Sequence, residues 1–286
     1  MMKIEFNYRE NEDLRRSFNE LAEKVFGLNF ENWYKNGFWK DNYIPYSVIE
    51  DGKVVSNVSV NVCNMNYGGR VVKLIQLGTI MTDPDYRGKG YSRILMERVI
   101  SDYKDKVDGI YLFANDSVLD FYPRFGFKTG KEYQYSKDVD NTGEDRTVLV
   151  PMADKEAWDK MVRLITEKEQ NSRFYMVENT GLYMFYLSQF MQENTFYIEN
   201  CDSYAVAEIE DDTLILHTII GKGDVDKVIS AFGSKIKKVV LNFTPNATYG
   251  FEENELHEDD TTLFVMGKFF EEIKDERLMF QAITHA

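Results

Sequence analysis

Cysteine and histidine are scarce, two of one and three of the other in 286 residues. Cys63 and Cys201 stand far apart in apolar or turn-like surroundings, so neither a disulfide framework nor a thiolate metal site has support. His217, His257 and His285 are not paired at ligand spacing and read as surface or packing imidazoles, so no metal is expected. Long apolar runs are missing too: none approaches the roughly 20 residues that span a bilayer. The opening MMKIEFNYRENEDLRRSFNE carries charge throughout and holds no apolar block of signal length, which gives a cytoplasmic expectation and no membrane partner. Basic residues are the third shortage, with 34 Lys and Arg against 48 Asp and Glu for a formal net charge of -14. Phosphate binding over a broad surface needs clustered positive charge, so no nucleic-acid partner is expected. A cationic ligand such as an amine suits the balance better.

What is present is core material: 43% hydrophobic and 14% aromatic residues fill two ordinary domains or one large one. Residues 11–26 put Leu14, Phe18, Leu21 and Val25 on one helical face. Strand-like runs follow at 47–50, 54–64 and 71–82, broken at Asp51-Gly52 and Gly68-Gly69, two hairpin turns. A helix through Ile94, Leu95, Val99, Ile100 and Tyr103, a buried strand over 109–114, a short helix over 116–125 and a strand over 126–139 complete a mixed α/β layer. The polar stretch DNTGEDR, Asp140 to Arg146, sets a domain boundary, giving units 1–145 and 146–286. In the second unit, helices at 155–169 and 182–192, strands at 196–200, 203–211 and 213–220, a helix at 223–233 and a strand at 237–245 repeat the first in outline, as in a decayed duplication.

One turn stands out against the acidic background. LIQLGTIM runs into TDPDYRGKGYS, which sets Arg87, Gly88, Lys89 and Gly90 between a strand and a helix. Alone, such a turn is most often a solvated bend. Here the glycines remove side-chain bulk, the helix aims its positive end at the same spot, and the two cations complete a nest for a diphosphate. It is neither a P-loop nor a dinucleotide fingerprint.

The pattern Arg87, Gly90, Ser92, preceded by Thr82-Asp83-Pro84, resembles the acetyl-CoA loop of the GNAT N-acetyltransferase superfamily, Ser92 replacing the usual Gly or Ala. Asn115, Phe121-Tyr122 and Gly126-Phe127 match that family's second motif in order and separation. The resemblance covers residues 1–140. The second half is similar to that of two-domain members, the enhanced-intracellular-survival proteins, whose second GNAT-like domain has lost its loop; here Gly221-Lys222-Gly223-Asp224 puts a carboxylate where phosphate would sit, so no second acetyl-CoA is expected.

The resemblance implies a GNAT fold and direct attack of an amine on the acetyl-CoA thioester. It places the cofactor against Ile80, Met81, Thr82, Arg87, Gly88, Lys89, Gly90, Tyr91, Ser92 and Asn115, with Ile80 and Thr82 as main-chain partners and Tyr122 as general acid. The family's glutamate base falls on Gln76, which cannot take a proton, and the chain-terminal carboxylate of Ala286 is the candidate the two-domain relatives suggest. The aromatic-rich FENWYKNGFWKDNYIPY, 30–46, is expected either to line the acceptor pocket or to be core. The acceptor is a small-molecule or peptide amine of open identity, a homo-oligomer stays open, and a non-catalytic acyl-CoA-binding or scaffold module is the alternative reading.

Overall fold

The computed structural model describes residues 2–167, 171–221 and 223–285. In chain order the first half gives β1 (Lys3–Phe6), α1 (Glu12–Phe26), α2 (Glu31–Lys35), β2 (Tyr43–Glu50), β3 (Lys53–Val62), β4 (Met65–Tyr67), β5 (Arg70–Val72), β6 (Leu74–Thr82), α3 (Tyr91–Tyr103), β7 (Gly109–Ala114), β8 (Lys128–Thr129) and β9 (Tyr133–Asp138). The second gives β10 (Thr147–Leu149), α4 (Glu156–Glu167), β11 (Phe174–Met176), α5 (Thr180–Gln189), β12 (Thr195–Ile198), β13 (Ser203–Glu210), β14 (Thr213–Gly221), α6 (Val225–Ala231), β15 (Lys238–Leu241), β16 (Glu252–Glu255), β17 (Thr262–Met266) and α7 (Lys268–Glu272).

Local chemistry accounts for the early elements. Asn11 caps α1 by accepting from the Leu14 N–H, and Gly27 ends it in the left-handed conformation, with Phe18 and Leu21 buried on its inner face. Asp51 and Gly52 both adopt positive φ, the geometry of a tight hairpin turn, and β2 and β3 pair antiparallel across it. The short helix expected over 116–125 is instead two 3₁₀ turns, Asp116–Val118 and Tyr122–Phe125. Pro123 has no N–H to donate to a continuous α-helix there.

Two seven-stranded mixed sheets carry the fold, ordered β1-β2-β3-β6-β7-β17-β8 and β10-β12-β13-β14-β15-β9-β16. Each contains a strand, a helix and a parallel strand in succession, β6-α3-β7 in one and β14-α6-β15 in the other, in keeping with a duplication. The sheets also trade strands. β17 comes from the end of the chain to pair antiparallel with β7, Thr262↔Ala114 through Met266↔Ile110, while β9 leaves the first half to pair with β15, Lys238↔Asp138 through Leu241↔Tyr135. The single strand expected over 126–139 is therefore two strands belonging to different sheets, and the exchange crosses the boundary expected near residue 145. One hydrophobic core runs through both halves, joining Phe30, Trp33 and Trp39 to Trp158, Tyr183 and Phe185.

The crossover leaves a carboxyl group buried. Glu132, 7% exposed between β8 and β9, accepts from the Phe280 N–H at 2.8 Å, and desolvation raises its pKa to about 8. In the unfolded chain it titrates near about 4.3. Between those values the folded state holds one more proton than the unfolded state, so this group makes stability fall as pH rises, by up to about 1.4 kcal/mol per pH unit, with no further loss above the folded value. Glu132→Gln keeps the acceptor for Phe280 and should flatten the decline between pH 5 and pH 8 in urea titrations; an unchanged slope would assign the decline elsewhere. A fragment of residues 1–145 lacks β17 and exposes the β7 edge, so it should show no cooperative unfolding transition by circular dichroism where the whole chain shows one.

Candidate active site

The site begins with a bend in β6. Parallel pairing with β7 lasts three residues, Leu74↔Gly109, Ile75↔Ile110 and Gln76↔Tyr111, and then the strands part. On its other edge β6 carries a bulge: Ser59 faces Gly78 and Asn57 faces Met81, so Thr79 and Ile80 together oppose Val58. Thr79 sits at φ 46°, a costly conformation for a β-branched residue. A buried polar chain holds it there. Tyr8 and Ser47 hydroxyls lie 2.6 Å apart, Ser47 Oγ donates to Asn57 Oδ1 at 2.8 Å, and Asn57 Nδ2 donates to the Thr79 carbonyl at 2.8 Å. The Tyr43 hydroxyl meets Thr79 Oγ1 at 2.7 Å. Past Gln76, β6 thus runs to Thr82 with no strand on its β7 side, and a slot opens.

One wall of the slot is the expected turn. Pro84–Tyr86 form a 3₁₀ turn capped by Asp83, and Gly88 and Gly90 both sit at φ 79°. A Cβ at either glycine would meet no protein atom within 4 Å, so the left-handed backbone rather than crowding requires glycine here. Gly90 caps α3 without a side-chain hydrogen bond, and the first turn of α3 has no acidic residue. Its N–H groups therefore point unclaimed at the cleft, the arrangement that suits an anion. Ser92 Oγ bonds Thr82 Oγ1 at 2.7 Å, which in turn meets Ser56 Oγ at 2.8 Å, so the serine at this position ties α3 to β6 and β3.

A cleft of about 810 Å³ runs along this turn, and every residue expected to hold the cofactor lines it except Lys89. The Lys89 ammonium lies over the Tyr86 ring at 4.3 Å and 3.6 Å from Glu50, so its side chain is turned aside. Arg87 is exposed and makes no ion pair among the described residues. Tyr91 faces the cleft while its hydroxyl donates to Glu50.

A second cavity, about 410 Å³, meets the first: Phe26, Ile80, Asn115 and Tyr122 line both. Tyr122 is 5% exposed, wedged against Phe121, Phe127 and Phe264, and burial raises its pKa to about 12. Its hydroxyl has no hydrogen-bond partner among the described residues. Asn115 is held from the other half of the chain, its Nδ2 donating to Asp260 Oδ2 at 2.9 Å. Of the aromatics in 30–46, Phe30, Trp33 and Tyr43 line the second cavity, whereas Phe38 and Trp39 are core. Gln76 lines neither cavity; its Oε1 accepts from Cys63 Sγ at 3.9 Å. Ala286 lies outside the described residues.

Much of the second cavity comes from the second half and was not legible beforehand. Phe185, Tyr186 and Phe190 line it from α5 and its end, and the sequence signal was there: GLYMFYLSQF has no polar face, so such a helix must cover apolar surface on more than one side. His285 also lines it, stacked on Phe113 at 3.7 Å, with its carbonyl accepting from the Tyr186 hydroxyl. Burial lowers the His285 pKa to about 3, so the imidazole is neutral.

The matching turn in the second half is built differently. A Cβ at Gly221 would meet the Asp202 carbonyl at 2.8 Å, the Gly223 N–H donates to Ser203 Oγ at 2.6 Å, and Asp224 caps α6 by accepting from the Lys227 N–H at 2.9 Å. Lys222 lies outside the described residues; the Gly223 and Lys227 donors are consumed internally and a carboxylate stands at the helix start, an arrangement that does not suit a diphosphate. Both cysteines are free, and among the described residues no helix is long and apolar enough to cross a membrane.

The mixed α/β sheets, the parallel pair that parts after Gln76 and the helix start without a side-chain cap form a GNAT fold. Residues 9–130 match the model of the acetyltransferase (GNAT) domain family. The fold extends over nearly the whole molecule. A probable N-acyltransferase from Enterococcus faecalis V583 superposes with a TM-score of 0.59 at 15% identity, covering 92% of this chain and 72% of that one. A GCN5-related N-acetyltransferase from Kribbella flavida gives 0.57 at 17%, with 93% and 70% covered, and Eis1 from Mycobacterium abscessus 0.54 at 13%, with 92% and 73%. At these identities the likeness is one of fold, here the two-domain GNAT fold.

Proposed function

We propose that this chain moves an acetyl group from acetyl-CoA to a primary amine, both substrates being bound at once. The observation that carries the reading is the junction of the two cavities at Ile80 and Tyr122: a donor laid in one and an acceptor in the other meet there without leaving the protein. When bound, acetyl-CoA supplies an activated thioester carbonyl and a thiolate leaving group.

The residues present fit that ligand. The first-turn amides of α3, the turn amides and Arg87 hold the diphosphate and give this cleft a local positive field within an acidic protein. The main chain of Ile80 to Thr82, unpaired toward β7, offers N–H and C=O groups to an extended arm, and one of these N–H groups serves the acyl oxygen as negative charge builds. A preorganised donor of that kind is worth about 3 kcal/mol. Tyr122 keeps its proton at every physiological pH and is the group to deliver it to the departing sulfur. Against a thiol of ordinary pKa near about 8.5 that transfer runs uphill, but the dry site that raises the phenol also raises the thiol, which narrows the gap.

Calorimetry with acetyl-CoA tests the donor half. Arg87→Ala should weaken binding about ten- to hundredfold, the loss of a charge-assisted hydrogen bond, whereas Lys89→Ala should stay within about twofold because that ammonium already faces Glu50. Absence of any heat with the wild-type chain would remove the reading. Chemistry is tested by following free thiol: Tyr122→Phe should lower kcat by about 10²- to 10³-fold with little change in acetyl-CoA affinity. Unchanged kcat would reduce Tyr122 to a packing residue.

A further inference from the structure

The second cavity has an unexpected composition. The chain carries 48 acidic residues, yet no charged side chain of any kind is among the described residues lining this cavity. Its walls are aromatic: Phe30, Trp33, Tyr43, Phe113, Phe185 and Tyr186. At its rim stand two large side chains that water also touches, Phe26 at 44% and Phe190 at 49% exposure. Most polar atoms on the wall are already engaged. Trp33 Nε1 donates to the Gly181 carbonyl, Tyr43 bonds Thr79, and Tyr186 donates to the His285 carbonyl. Besides the Tyr122 hydroxyl two are not: Asn61 Nδ2 and His285 Nε2 are buried without a partner. Asn61, 1% exposed, has its Oδ1 taken by Asn179 Nδ2 at 3.3 Å, which fixes the amide and leaves the free N–H₂ on the other side.

We propose that the acceptor is a molecule with a single amine on an aromatic or similarly flat apolar body, bound as the free base, and that polycationic amines are poor acceptors. This rests on the transferase reading above and narrows it to a substrate class.

Three physical points converge. Aromatic walls reward a flat apolar body, and about 410 Å³ is ample for a ring with a short arm, given that a cavity of roughly 150 Å³ suffices for benzene. The two unpaired neutral atoms can satisfy an amine or one further neutral polar group, but neither offers a counter-charge. A second or third ammonium carried into such a cavity would be desolvated with no counter-charge among the described lining residues. The apolar wall bears on the reaction too. Desolvation in such a cavity lowers the pKa of a bound amine and selects its neutral form. Attack by that free base on the thioester carbonyl forms the C–N bond as the C–S bond breaks. The surplus proton on nitrogen leaves to solvent, and the sulfur takes its proton from Tyr122, which is recharged from water.

The test pairs binding with rate. With coenzyme A present, 2-phenylethylamine should quench the fluorescence of Trp33 and spermidine should not, the quench disappearing in Trp33→Phe. In thiol-release assays kcat/KM for 2-phenylethylamine should exceed that for spermidine at least 100-fold. It should rise about tenfold per pH unit from pH 7 to 9, following the free-base fraction of the amine, while an arylamine, neutral throughout, gives a flat profile. Phe190→Asp, at an exposed position where the fold tolerates it, places a carboxylate at the rim and should narrow the ratio at least tenfold. A spermidine preference, a phenylethylamine profile flat from pH 7 to 9, or no Trp33 quench in protein that binds coenzyme A would overturn the acceptor class while leaving the transferase reading standing. Failure to bind acetyl-CoA at all would instead overturn both.

Discussion

A run of hydrogen bonds through the first sheet, Tyr8 to Ser47 to Asn57 to the carbonyl of Thr79, holds one residue of β6 in a conformation it would not choose, and the remaining geometry of the site follows from that. Thr79 at positive φ inserts an extra residue opposite Val58, and the strand turns away from β7 after Gln76. Without the bulge, β6 and β7 would continue to pair and zip the slot shut. The cost of a left-handed threonine, about 1–3 kcal/mol, is offset because Tyr8, Ser47 and Asn57 are buried and bonded. Stability is thus spent to keep main-chain donors of β6 free.

This explains which parts of the site were legible in the sequence. The geometry of the proposed cofactor turn was, because its requirements are local: two positive-φ glycines, an uncapped helix start and an arginine fit within eleven consecutive residues. Tyr122 and Asn115 were, because their spacing along the chain reflects one short connection between β7 and β8. The bulge was not, since Ser47, Ser56, Asn57 and Ser59 look like noise in strands that otherwise read as valine-rich, and a polar side chain inside a sheet declares its partner only when neighbouring strands are aligned. The orientation of Lys89 was not legible for the converse reason: it lies in the turn, but Glu50, at the end of β2, draws its ammonium aside.

The strand exchange lay beyond local reading altogether. β7 finds its neighbour β17 about 150 residues later, and nothing in the composition of either segment names the other. Hydrophobic pattern fixes that a strand is buried; it does not fix which edge accepts it. The polar stretch near residue 145 is a true surface loop, and it was reasonable as a boundary in composition, yet the hydrogen-bonded sheets ignore it.

The two halves differ most at the turn each carries between the strand and the helix of its parallel unit. In the first, the donors at the start of α3 are left without side-chain partners and the glycines face open space; in the second, Ser203 and Asp224 consume the equivalent donors and the glycines press on Asp202 and Cys201. A half that has closed its own cleft is under no constraint to keep it empty, and its material is used on its neighbour. α5 and the segment reaching His285 wall the second cavity, Asp260 holds Asn115, and β17 supplies the strand against which Tyr122 rests through Phe264. The second half therefore acts on the first site by shape and by exclusion of charge. That division of labour is why the junction of the two cavities has its turn built by one half and most of its aromatic far wall by the other.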